Sequence, residues 1–164
     1  AGREAFARGD RPAAFADWRR GLGMSTGRLA DVLQAVRGVA PNELRDKLLP
    51  PLAHVSLAAA DTLFPDRLRQ ADDRRPFLEA AVKQAQDAGG PTANDWAAAA
   101  AAADELGQPE VAGRAWQAAV SAAVRDVRIR DGYARWLEQE ERYDEAVDQL
   151  RQLQKLTTHP SIQD

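Results

Sequence analysis

The sequence predicts an all-α protein built of antiparallel helical hairpins, stacked into an α–α solenoid. Three observations point there. Helix formers, chiefly Ala, Leu, Arg, Glu and Gln, dominate the 164 residues, and extended runs of Val, Ile and Thr are missing. Apolar residues recur at three- and four-residue spacing between turn signals. Ala112 and Ala146 occupy the same place in two consecutive helix–turn–helix units, 34 positions apart.

Residues 1–8 are short and ambiguous. Gly9 and Asp10 mark a turn, with Asp10 as N-cap and Pro12 in the first helical turn, where its missing N–H costs nothing. Phe15, Trp18 and Leu22 then form one stripe of a helix expected to end at Gly21 and Gly23. Ser25 or Thr26 caps the next helix, which buries Leu29, Val32, Leu33 and Val36 and stops at Gly38. Pro41 opens a short helix carrying Leu44, Leu48 and Leu49, and Pro50 with Pro51 ends it. Residues 52–63 form a helix that is apolar nearly all round, so it should be sandwiched between neighbours. After Phe64 and Pro65 comes a highly charged stretch, 66–73, as a loop or one turn. A longer helix starts around Pro76, buries Phe77 or Leu78, Ala81, Val82 and Ala85, and ends at 88–91.

The clearest pattern lies in residues 92–158. Thr92 is the N-cap, and Asp95 three residues later makes a capping box with Asp in place of Glu. Trp96 precedes seven consecutive alanines, 97–103, which suit an inner helix that neighbours approach closely. Gly107 ends that helix and Pro109 starts its partner, with Val111, Ala112, Ala115, Trp116, Ala119 and Val120 inward. The next helix presents Ile129, Tyr133, Ala134 and Leu137, with Trp136 to the side. After a turn near Glu141 and Arg142, the last helix presents Tyr143, Ala146, Val147, Leu150, Leu153 and Leu156, and Pro160 closes the helical part. Superposing Trp18 on Trp116 also brings Gly9 onto Gly107 and Ala14 onto Ala112. Since the first residue is Ala1 rather than Met, the chain is expected to be a piece of a longer array that continues upstream.

Residues 93–126, through Trp96, Ala100, Gly107, Ala112, Trp116 and Ala119, resemble the tetratricopeptide repeat (TPR) family. Residues 127–160 resemble it through Tyr133, Ala134, Leu137, Tyr143, Ala146 and Leu150. They depart from it at Arg130, where Trp is common, and at Leu153, where Ala is common. The organisation expected is one helical-repeat domain over 1–164, with divergent hairpins in 1–91 and TPR-like repeats at 92–126 and 127–160. The resemblance implies a right-handed superhelix and a non-catalytic scaffold for a protein or peptide, with the first helix of each hairpin lining the concave face. It places Asn94, Ala97, Ala98, Ala101, Asp104 and Glu105, then Arg128, Asp131, Arg135, Glu138 and Gln139, along that groove; the same positions also suit solvated helix faces. The layout further looks like the repeat tails of bacterial envelope-polysaccharide ligase-type proteins. That suggests the alternative of a structural spacer or oligomerisation segment.

Charge narrows the partner class. The net charge is −3, and the basic residues are not concentrated enough, nor interleaved with aromatics, for a nucleic-acid partner. No apolar run reaches the roughly 18–20 residues needed to span a bilayer. There is no cysteine. His54 and His159 stand far apart, and no metal-ligand, phosphate-loop or nucleophile motif is present, so neither cofactor nor catalysis is expected. The last helix lacks a covering hairpin, so its Val147 and Leu150 side should be open to self-association.

Overall fold

Local signals start and stop the helices largely where the residues demand. The computed structural model describes residues 2–87 and 89–158. Helices α1 (Gly2–Ala7) and α2 (Arg11–Met24) form a first hairpin. A 3-10 turn at Thr26–Arg28 leads into α3 (Leu29–Ala35), and α4 (Pro41–Glu43) continues as a π-helical turn, Leu44–Leu48. Then follow α5 (Ala53–Leu63), α6 (Ala71–Asp87), α7 (Ala93–Glu105), α8 (Pro109–Ala122), α9 (Val127–Gln139) and α10 (Tyr143–Thr158). No strand occurs among the described residues. The pairs α5–α6, α7–α8 and α9–α10 are antiparallel hairpins, and α7 also packs on α5 and on α9. The architecture is a TPR-like α–α solenoid.

Three hairpins turn in the same way. Gly9, Gly107 and Glu141 take positive φ, at 83°, 70° and 59°. Each donates its N–H to the carbonyl three residues back, and the following residue donates to the carbonyl five back, at 2.8–3.1 Å. Five residues beyond each turn stands a buried alanine, Ala14, Ala112 or Ala146, so all three second helices place a small side chain at the same height. The third turn falls near Glu141 and Arg142 as expected, although Glu141 occupies a conformation in which glycine is usual.

The core is continuous. One apolar cluster runs from Ala5 in α1 to Ala115 in α8, and a second joins α7 and α8 to Tyr133, Trp136, Leu137 and Ala146. Helix α5 lies between α3, α6 and α7, with no exposed residue from Leu52 to Ala60, as its all-round apolarity requires.

Several expectations need correction. Helix α2 does not end at Gly21 and Gly23 but runs to Met24, because Leu22 is buried in the core and the Ser25 N–H still bonds the Gly21 carbonyl. Helix α6 begins at Ala71, not near Pro76. Asp72 and Asp73 favour the positive end of the helix dipole, and Pro76 deprives only the solvent-exposed Asp72 of a partner for its carbonyl. Trp136 is not to the side; it is buried at the α8–α9 contact. Ala88, His159 and Pro160 lie outside the described residues.

Candidate functional site

Two side-chain constellations set the geometry of the face formed by α6, α7 and α9. The first is Arg74, fully buried on α6. Its Nε and Nη2 donate to Glu105 Oε1 and Oε2 at 2.5 and 2.9 Å, Nη2 also to Asp61 at 2.7 Å, and Nη1 to the Ala60 and Phe64 carbonyls at 3.1 and 2.6 Å. One guanidinium therefore ties the end of α5, the start of α6 and the end of α7 together, and the carboxylate of Glu105 holds it firmly in its charged form. The second is a stack of three rings. Trp116, Tyr133 and Trp136 lie with successive centroids 6.2 and 6.1 Å apart and planes within 20°. The two indoles are seated on glycines of the facing helix. A Cβ on Gly132 would stand 2.8 Å from Trp116 Cη2, and one on Gly113 would stand 3.0 Å from Trp136 Cη2. Glycine is required at 132 for this close approach.

Between these constellations opens a cleft of about 580 Å³. Ala101, Asp104 and Glu105 of α7 and Gly132, Arg135, Trp136 and Gln139 of α9 line it, with Leu78 and Arg75 of α6, Trp116, and Arg67 and Leu68 from the preceding turn. The acids are already engaged. Glu105 is taken by Arg74, and Asp104 accepts from Trp136 Nε1 at 3.0 Å. Arg135 is paired on its own helix with Asp131 at 2.7 Å. Arg75 has no ion-pair partner among the described residues, Leu68 is 94% exposed, and Trp116 Nε1 is buried without a hydrogen-bond partner. The cleft thus offers an apolar floor with arginines at its margin.

Of the groove residues expected from the sequence, the structure brings Ala101, Asp104, Glu105, Arg135 and Gln139 into this cleft. Ala98 is buried, because α7 is packed on two sides. Asn94, Ala97, Arg128, Asp131 and Glu138 do not line it. Asn94 and Arg128 sit in the first turns of their helices, and Arg128 is engaged with its N-cap Asp126 at 3.3 Å. The sequence offered no sign of Arg67, Leu68 and Arg75, since they lie in or beside a charged stretch with no repeat signature.

His54 and Asp95 form a separate pair. Asp95 Oδ1 is 2.7 Å from His54 Nδ1 and also accepts from the His54 N–H; Oδ2 accepts from Thr92 N–H and Oγ1. Thr92 Oγ1 in turn accepts from the Asp95 N–H, which completes the capping box. Asp95 thus caps α7 through Thr92 and docks α5 against the start of α7 through His54. Burial by itself pushes its carboxyl up, but the hydrogen bonds from Thr92 and His54 outweigh that and hold it below the usual carboxylate range. A depressed folded-state pKa stabilises fully above the unfolded value of about 3.9 and is lost as pH falls through the folded one. Asp95→Ala should cost about 2–3 kcal/mol at pH 7. Its stability should converge on that of the parent as unfolding is measured at successively lower pH below about 4; a constant gap would show that the charge is irrelevant. Among the described residues no group of three or more His, Asp or Glu is placed to hold a metal ion, and no helix is long and apolar enough to cross a membrane.

The fold is that of a helical-hairpin solenoid of TPR-like type. Two solved structures share that fold. One, titled the MamA RS-1 ArsTM double mutant, is 17% identical with a TM-score of 0.54, over 99% of this chain and 93% of its own. The other, a crystal structure of MamA, is 16% identical with a TM-score of 0.51, over 98% and 96%. No family model matches the chain, and neither does any curated protein.

Proposed function

We propose that the chain is a non-catalytic protein-interaction scaffold, which receives an extended protein segment in the cleft between α6, α7 and α9. One observation carries this. The cleft joins exposed apolar surface at Leu68 to the Trp116 ring and to the charge of Arg75, which has no ion-pair partner among the described residues. Such a combination suits a segment that alternates apolar and acidic residues. In this reading residues 92–126 and 127–160 are the two regular repeats and 1–91 the divergent ones.

A photo-crosslinking residue at position 68 tests it in extracts of the native source. Capture of a discrete protein is expected, and Ala101→Trp or the pair Arg75→Glu and Arg135→Glu should abolish it while circular dichroism stays unchanged. Arg128→Glu, outside the cleft, should leave capture intact. Capture that is indifferent to the cleft variants, or equally sensitive to Arg128→Glu, rules the cleft out as the binding surface. A second reading, a structural spacer or oligomerisation segment, is favoured by the open face of α10.

A further inference from the structure

The face of α10 turned away from α9 carries apolar side chains that are left exposed among the described residues. Val147 and Leu150 are 43% and 41% exposed, and Tyr143 beside them is 61% exposed. These three recur at i, i+4 and i+7, one stripe of the helix. The hairpin before it shows what such a face is for. An offset of 34 residues carries Gly113 and Trp116 of α8 onto Val147 and Leu150 of α10. On α8 both positions are covered by α9: the Trp136 ring rests on Gly113, and Trp116 rests on Gly132. Val147 fills the space that Gly113 leaves for an incoming indole. The α10 surface is therefore made for a helix without a Trp in that position, unlike α9.

Charge says which helix. Asp144, Asp148, Arg151 and Lys155 stand at i, i+4, i+7 and i+11, a second exposed stripe beside the apolar one. Its first half is acidic and its second half basic. Set antiparallel against an identical stripe about a midpoint between Gln149 and Leu150, Asp144 meets Lys155 of the second copy and Asp148 meets Arg151 of the second copy. Each contact then occurs twice by the two-fold symmetry. A parallel pair would instead set Asp144 and Asp148 against their own copies, which repel.

We propose that α10 is a homodimerisation helix, pairing antiparallel with α10 of a second copy through Val147 and Leu150, with Asp148 and Arg151 fixing the register. What the cleft binds does not enter.

Sedimentation equilibrium of the whole chain over micromolar concentrations is the test. A monomer–dimer equilibrium is expected. Val147→Glu with Leu150→Glu should leave monomer only. Asp148→Arg and Arg151→Asp should each weaken the dimer about tenfold or more, and an equimolar mixture of the two single variants should dimerise again. Within one helix Asp148 and Arg151 also pair at 3.3 Å, both 69% exposed; such a pair is worth little, and mixing does not restore it. Recovery in the mixture therefore reports the contact between copies. A monomer at every concentration overturns the proposal. So does a dimer that survives the Val147 and Leu150 changes, or one whose charge variants do not complement each other.

Discussion

Arg74→Ala should lower the stability of the chain by about 3–5 kcal/mol. Three things happen at once. The Ala60 and Phe64 carbonyls lose their donor where α5 ends, Glu105 keeps a charge in a site only 17% exposed, and a volume the size of a guanidinium is emptied between α5, α6 and α7. Breaking a buried pair from one side is costly because the remaining charge is left without compensation. Arg74→Lys should recover little of this, since an ammonium cannot satisfy five acceptors arranged around a planar fork. Replacing both partners, Arg74→Met with Glu105→Met, should recover a substantial share. Denaturant unfolding of the four proteins checks the order. A lysine variant as stable as the parent would mean that the fork geometry is unimportant.

Trp136→Ala should cost a similar amount, about 3–5 kcal/mol, but in a different place. Trp136 is buried, stacks on Tyr133, rests on Gly113, donates to Asp104 and lies 5.6 Å beneath the Arg142 guanidinium. Removing it strips the contact by which α9 and α10 dock on α8. In a stack whose units touch only their neighbours, that damage stays local. Amide exchange should therefore accelerate across α9 and α10 while α5 to α7 stay protected. Arg74→Ala, placed at the middle of the stack, should loosen α5, α6 and α7 together. Trp136→Phe should cost less, because part of the ring stack survives while the bond to Asp104 and the Cη2 contact with Gly113 are lost. Uniform acceleration in Trp136→Ala would show that the chain unfolds as one unit.

Much of the helical scaffold was legible because its signals are local. Asp10, Ser25 and Thr92 accept the hydrogen bonds that start their turns or helices, and Gly38 and Gly107 take positive φ where their helices stop. Pro50 forces Leu49 into an extended conformation. A cap or a proline acts through atoms within about one helical turn, so the sequence neighbourhood contains all the physics. The start of α6 was misread for the complementary reason. A proline in a second turn is tolerable when its lost partner faces water, and exposure is a tertiary property. Trp136 was misplaced because its helix carries apolar side chains on more than one side, and only the glycine at 113 makes room for a ring there.

The cleft divides along the same line. Ala101 and Arg135 were expected from their positions on successive first helices, since the repeat offset alone brings such residues to one face. Asn94 and Arg128 share that helix face but sit near its starting end, and the cleft lies toward the other end, where Arg74 clamps α6 to α7. Leu68 and Arg75 enter it only because Arg74 draws the charged stretch inward. By itself, then, the sequence determined the helices, their turns and the order of their stacking, which depend on contacts between residues close along the chain. The tertiary structure alone decided where a cleft opens and which acids are already paired, because those depend on residues some 30 apart along the chain, such as Arg74 and Glu105, that meet only after the hairpins have packed.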